Sequence, residues 1–233
     1  MTAAQPLPRP AGTVDESRHQ RALIGQWVRQ RLQAHPAVEQ LVEGAGEVYR
    51  VRKFLNRLDC REICRVINSH AVPSTVFGDG VHTEIRSSAT HHFDRYDPLT
   101  CDLEDYIDEL LGIDKVFSEA LQGQRYQTGQ QYRHHHDFFH GGARFEADEM
   151  QRGGQRTWTA MIFLNEPREG GETDFPQLDL RLTPEVGTLV VWNNMGVDGT
   201  PNMRTLHAGM PVKRGIKHVI TKWYRQGPWR ALN

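Results

Sequence analysis

The chain has few cysteines, no long apolar run and no surplus of charge, and each shortage removes a class of protein. Cys60, Cys64 and Cys101 are the only three cysteines in 233 residues. An odd and sparse set is no disulfide framework of the kind that staples small secreted domains. Cys60 and Cys64 stand four apart on an expected helix and read as two packed thiols. A reduced, cytoplasmic protein is expected. No apolar run approaches the ~20 residues of a membrane-spanning helix, and the Pro- and Ala-rich stretch from Met1 to Thr13 lacks the hydrophobic segment of a secretory signal. Lys plus Arg number 28 and Asp plus Glu 29, a balance that leaves no broad positive footprint for nucleic acid. There is no internal repeat and no low-complexity tract. What remains is length enough for one domain with additions and a sizeable core.

Taken in order, residues 1–13 hold three prolines and few large apolar groups, and read as a disordered N-terminus. Leu23, Ile24, Trp27, Val28 and Leu32 recur at helical spacing. Pro36 interrupts them, and Ala37 to Val42 is expected to add a short second helix. Residues 14–46 are therefore read as an N-terminal helical support and 47–233 as the main domain. Val48 to Phe54 alternates as a strand does. Asp59 is expected to cap a helix running through Ile67, and Thr100 one from Cys101 to Leu111. A short helix is expected after Asp114. Val72 to Phe93 mixes β-branched residues with turn formers and reads as outer strands. Beyond Leu121, short runs such as Thr157 to Leu164, Thr188 to Trp192 and Val219 to Trp223 alternate with turn signals, which suggests an all-β sandwich or jelly roll. Between Phe138 and Arg156 lies a polar, Gly-rich insertion, read as a mobile substrate lid over 138–156.

The chemistry centres on the stretch from Arg125 to Asp137. On a strand, positions i and i+2 share a face, so His135 and Asp137 can grip one metal ion from one side. His134 and His136 should face the other way, and strict alternation also turns Tyr132 away from His135. A third ligand must come from elsewhere, and His207 is the best candidate. Two histidines and one carboxylate leave three octahedral positions open, the facial triad of non-haem iron(II) oxygenases. Ten residues past His207 stands Lys217. Gly215 permits a turn, after which Lys217, Val219, Thr221 and Trp223 share one face of a strand. A lysine turned inward between apolar residues needs an anion, and a dicarboxylate on the metal supplies one. A second His-x-Asp, His92-Phe93-Asp94, precedes a helix and reads as surface polar residues.

Further pieces surround these. They are Tyr126-x-x-Gly129-x-x-Tyr132-x-x-His135-x-Asp137, Arg156-x-x-Thr159, Gly170-Gly171-Glu172-Thr173-x-Phe175-Pro176, Pro184-x-x-Gly187, His207-Ala208-Gly209-x-Pro211-Val212, Gly215-x-Lys217 and Trp223. In order and spacing the chain resembles a 2-oxoglutarate- and Fe(II)-dependent dioxygenase of the prolyl 4-hydroxylase family, over roughly residues 48–225. The resemblance implies a mainly β (α+β) fold with N-terminal helices and a double-stranded β-helix, or jelly-roll, core. It implies Fe(II) on His135, Asp137 and His207. It implies the 5-carboxylate of 2-oxoglutarate on Lys217, with Tyr126 and Thr173 beside it. Arg156, Tyr132 and Trp223 would face the substrate.

Dioxygen is then a second cosubstrate and ascorbate an optional reductant. The implied reaction is hydroxylation of an aliphatic C–H, foremost a prolyl residue in a peptide or protein, with release of succinate and carbon dioxide. The alternatives are a free amino acid or small-molecule substrate, or a metal-binding sensor without turnover. A nucleic-acid demethylase would need a basic groove and base-stacking aromatics, which do not stand out. No nucleic-acid or membrane partner is expected, and a homodimer is left open.

Overall fold

A strand buried on both faces needs a core on each side, and the three longest strands among the described residues have both. In a computed structural model, residues 13–44, 46–74, 85–141 and 144–229 are described, with backbone alone at 144 and 145. The helices are α1 (Val14–Ala34), α2 (Arg57–His70), α3 (Pro98–Leu111) and α4 (Arg144–Gly153). The strands are β1 (Val38–Val42), β2 (Val48–Val51), β3 (Val72–Pro73), β4 (Ala89–His92), β5 (Gln122–Tyr126), β6 (Tyr132–His135), β7 (Arg156–Phe163), β8 (Glu169–Gly170), β9 (Thr173–Phe175), β10 (Leu180–Leu182), β11 (Thr188–Asn193), β12 (His207–Gly209), β13 (Val212–Arg214) and β14 (Lys217–Arg225). An eight-stranded sheet runs β1-β2-β11-β7-β14-β5-β4-β3, a four-stranded sheet runs β10-β9-β12-β6, and β13 pairs with β8. Among the described residues the fold is thus mostly antiparallel β with four α-helices.

Alternation along β7, β11 and β14 sorts the core. Trp158, Ala160, Ile162, Leu189, Val191 and Ile220 meet Ile24, Val28 and Leu32 of α1, Ile63 and Ile67 of α2, and Ile107 and Leu111 of α3. Each such buried aliphatic side chain contributes ~1.5–3 kcal/mol. The reverse face presents Met161, Phe163, Val190, Trp192 and Val219 to Phe175, Leu182 and Val212 of the smaller sheets. Helices α1, α2 and α3 therefore occupy one side of the large sheet, and the candidate site lies on the other. Among the described residues no helix is long and apolar enough to cross a membrane.

Several expectations need correction. Residues 1–12 lie outside the described residues, but Thr13 is no part of a loose tail. Its hydroxyl accepts from Glu16 N–H and Glu16 reaches back to Thr13 N–H, closing a capping box on α1. Ala37 to Val42 is not helical. Val38 to Val42 forms β1, paired antiparallel with β2 and braced by Arg50 on Glu39 at 2.7 Å. A free sheet edge and two β-branched ends outweigh the weak helical period there. The caps also shift. Asn56, not Asp59, accepts from the first turn of α2, and Asp97, with Pro98 behind it, starts α3 ahead of Thr100. Of the expected outer strands, β3 and β4 form, and residues 75–84 lie outside the described residues.

Within 138–156, described apart from residues 142 and 143, the chain forms α4 rather than an open loop. Glu146 and Glu149 are turned inward, and Glu146 accepts from His140 N–H at 2.9 Å. Glycines at both ends of the insertion masked a ten-residue helix between them.

The turn into β11 is sensitive to one glycine. Gly187 has φ +75°, and a Cβ there would stand 2.1 Å from the carbonyl oxygen of Leu55. Left-handed strain and overpacking together predict that Gly187→Ala lowers unfolding free energy by ~2–6 kcal/mol, measurable by urea denaturation.

Candidate metal centre

The strand β6 is too short to position a site alone, and its partner β12 does the placing. His207 pairs directly with His135, while Gly209 pairs with Tyr132. Two steps along β12 therefore match three along β6, which is a bulge. The extra residue corrects the expectation from strict alternation. Tyr132 lies on the same side as His135, and their rings stack at 3.6 Å between centroids and 16° between planes.

His135, Asp137 and His207 come together. Each offers one ligand atom, and these atoms lie within 4.8 Å of one another. His135 Nε2 is 3.7 Å from Asp137 Oδ1 and His207 Nε2 is 3.8 Å from Asp137 Oδ2. Both distances exceed a hydrogen bond, so the three groups face a shared point rather than each other. Each imidazole is oriented from behind. His135 Nδ1 lies 2.8 Å from the Arg133 carbonyl and His207 Nδ1 2.9 Å from the Thr205 carbonyl. A carbonyl only accepts, so Nδ1 carries the proton and Nε2 keeps its lone pair for a metal. Phe175 and Trp192 pack on His207 at 5.3 and 5.0 Å between centroids.

Burial, with His207 beside it, pushes His135 down to about 3, which keeps the ring neutral. Burial opposes ionisation of Asp137, but the two histidines, Arg156 and the Thr159 hydroxyl outweigh it and hold the carboxyl below its usual range. A neutral N, N, O⁻ donor set fits Fe(II) or a similar divalent ion.

His134 and His136 are turned elsewhere. His134 Nε2 approaches Asp174 at 3.5 Å, and His136 Nε2 donates to the Met203 carbonyl at 3.0 Å. His92 and Asp94 are exposed, and the triad is the one metal-competent group found among the described residues.

The pocket beside the triad is lined by Tyr126, Tyr132, Thr173, Lys217, Thr221 and Trp223, among others. Lys217 is 3 % exposed at the far end. Its Nζ stands 3.5 Å from Thr173 Oγ1 and over the rings of Tyr126 and Phe163, at 5.7 and 5.3 Å from their centroids. No carboxylate among the described residues lies within ion-pair distance of it. Burial pushes the ammonium down to about 7, with Glu172 opposing. This end of the pocket is built to welcome an anion.

Arg156 sits differently from the expectation. Its guanidinium is not free for substrate, because Glu119 takes it in a two-bond fork at 2.6 and 2.7 Å. It lies over Trp223 at 4.3 Å and near the Asp137 carbonyl at 3.4 Å, behind the pocket wall. Sequence reasoning missed Arg86. It lines the pocket, donates to Ser88 and Thr90 at 3.1 Å each, and lies 5.0 Å from the Tyr132 centroid. The alternating Arg86-x-Ser88-x-Thr90 was the available signal, hidden in a stretch read as outer strands.

Comparison with known proteins adds to this geometry. A family model, the 2OG-Fe(II) oxygenase superfamily, matches residues 121–225. Prolyl 4-hydroxylase 1 of Arabidopsis thaliana is 28% identical over 207 residues, covering 80% of this chain and 71% of that protein. A viral collagen prolyl hydroxylase from Paramecium bursaria Chlorella virus-1, solved as its 2OG complex, superposes with TM-score 0.61 at 28% identity, covering 76% of this chain and 95% of that one. A prolyl hydroxylase from Trichoplax adhaerens, solved with a peptide fragment of hypoxia inducible factor, shares the fold at TM-score 0.60 and 15% identity, covering 93% of this chain and 95% of that one.

Proposed function

Because the chain belongs to the 2-oxoglutarate- and Fe(II)-dependent oxygenases of the prolyl 4-hydroxylase family, we propose that it hydroxylates a prolyl residue of a peptide or protein. One observation carries this reading. A single pocket holds three convergent metal donors at one end and, at the other, a buried ammonium with no carboxylate partner among the described residues. On this reading His135, Asp137 and His207 hold the iron, and Lys217 takes the remote carboxylate of 2-oxoglutarate with Thr173 and Tyr126. The large and the four-stranded sheets are the two halves of a double-stranded β-helix around that pocket. The free thiols of Cys60, Cys64 and Cys101 support a reducing, cytoplasmic setting.

Held by His135, Asp137 and His207, iron with 2-oxoglutarate and dioxygen would supply the oxidising power for an aliphatic C–H, with succinate and carbon dioxide as co-products. The protein's part is to bind, orient and shield. The Arg133 and Thr205 carbonyls hold both imidazoles in the ligating tautomer. Tyr132 keeps His135 from rotating. Lys217 fixes one end of the cosubstrate, and Trp223, backed by Arg156, forms the wall on the substrate side. No side chain has to move a proton. The test is succinate release with and without proline-containing peptides, followed by mass spectrometry of the peptide for a gain of one oxygen. Turnover on free proline but on no peptide would overturn the substrate class.

Lys217 makes this reading pH-dependent. Its ammonium is already formed below pH about 7. Above that value a proton must be taken up before a dianion is held. Affinity for 2-oxoglutarate is therefore expected to be flat below that pH and to weaken about tenfold per unit above it. Calorimetry in two buffers of different ionisation enthalpy should show proton uptake only on the alkaline side.

A further inference from the structure

Asp137 is held by more than the two imidazoles. Thr159 lies on β7 between Trp192 of β11 and Trp223 of β14. It and Asn194 are each fully buried at 0 % exposure. Thr159 Oγ1 donates to Asp137 Oδ2 at 2.7 Å, and Asn194 Nδ2 donates to Thr159 Oγ1 at 2.9 Å.

The direction of this chain follows from proton counting. A threonine hydroxyl has one proton and an ionised carboxylate has none. The contact with Asp137 therefore uses the Thr159 proton, and the neighbour on the other side must donate. Only the amide nitrogen of Asn194 satisfies that. Its side-chain oxygen Oδ1 is consequently turned away, buried and without a hydrogen-bond partner among the described residues. A buried unpaired oxygen is unfavourable, so the amide is oriented for its donor rather than for its own satisfaction. The Asn194 main chain is held on both sides, its backbone N–H donating to the Thr157 carbonyl at 2.8 Å and its backbone carbonyl accepting from Asn202 N–H at 2.9 Å.

We propose that Thr159, set by Asn194, is a positioning residue for the metal: it engages one oxygen of Asp137 and fixes the carboxylate plane between His135 and His207. The inference rests on the reading that His135, Asp137 and His207 hold the metal. Outer hydrogen bonds of this kind contribute to affinity because the ligand is already turned when the ion arrives.

The test is a Co(II) titration of the full chain, followed by d–d absorbance, beside far-UV circular dichroism of the metal-free protein. Thr159→Val removes the hydroxyl at nearly constant volume. It is expected to weaken Co(II) by ~10–100-fold and to alter the d–d bands, and Thr159→Ser is expected to restore both. Asn194→Leu should move affinity in the same direction. Should the valine variant lose its fold, Thr159→Cys, a weaker donor of similar size, is ranked against Thr159→Ser. Weaker binding by the cysteine variant supports the proposal, and equal binding overturns it. Wild-type affinity and spectrum in a folded Thr159→Val also overturn it, with the metal site intact. Absence of Co(II) binding to the wild type removes the site itself and the inference with it.

Discussion

Replacing His207 with alanine is expected to weaken metal binding beyond the ~10–100-fold seen when an outer partner of a ligand is lost, and to take succinate release below detection. The expectation follows from the absence of a substitute. His207 supplies its Nε2 from β12, a strand that contributes no second donor to the cluster. The two histidines that flank His135 have other occupations. His134 meets Asp174 at 3.5 Å and His136 donates to the Met203 carbonyl at 3.0 Å. Neither can swing in without breaking β6 or the turn after it. The remaining pair, His135 and Asp137, stands 3.7 Å apart and would hold an ion by two atoms only. The loss should be selective, because removing one ring between Phe175 and Trp192 leaves the pairing of β12 with β6 and β9 in place. Unchanged circular dichroism with lost Co(II) binding is the expected combination. Retained Co(II) affinity would mean that His207 is a core histidine.

The parts of this site that were legible in the sequence are those governed by one strand. His135 with Asp137, and Lys217 with Val219, Thr221 and Trp223, need only the two-residue period. The parts that were hidden depend on a partner far along the chain. Tyr132 joins His135 because β12 pairs with a one-residue slip, which nothing between Tyr132 and His135 announces. Arg156 looked available for substrate because Glu119, which takes its fork, lies 37 positions earlier. Arg86 stood outside every motif and reaches the pocket only because it bridges to Tyr132. In the fold, strong apolar periods located α1, α2 and α3. The weakly patterned Val38–Val42 was decided by an open sheet edge, and α4 by acids whose partners lie elsewhere.

Glu119→Gln should be strongly destabilising, lowering unfolding free energy by ~3–5 kcal/mol, the range for breaking one side of a buried ion pair. Glu119 accepts from Arg156 at 2.6 and 2.7 Å and from Arg225 at 2.8 Å. All three side chains are buried, and both guanidinium groups lie against Phe139, at 5.2 and 4.8 Å from its centroid. Glutamine keeps the shape but removes the one charge shared by two arginines, so their mutual repulsion in a low-dielectric setting is left less compensated. Burial by itself would raise the Glu119 carboxyl, yet the two arginines outweigh it and hold it below the usual range. A depressed folded value sets the sign. The contribution is whole above the unfolded carboxyl value near about 4.3, and it is lost as pH falls through the folded value. Urea unfolding should therefore show a large gap between wild type and Glu119→Gln at neutral pH that narrows in acid. Glu149→Gln is the control. Arg225 meets Glu149 at 3.2 Å but keeps Glu119, so this variant should lose less. Because Arg156 lies 4.3 Å over Trp223 and 3.4 Å from the Asp137 carbonyl, the Glu119 variant should also raise the KM for peptide more than that for 2-oxoglutarate, as the substrate wall loosens ahead of Lys217.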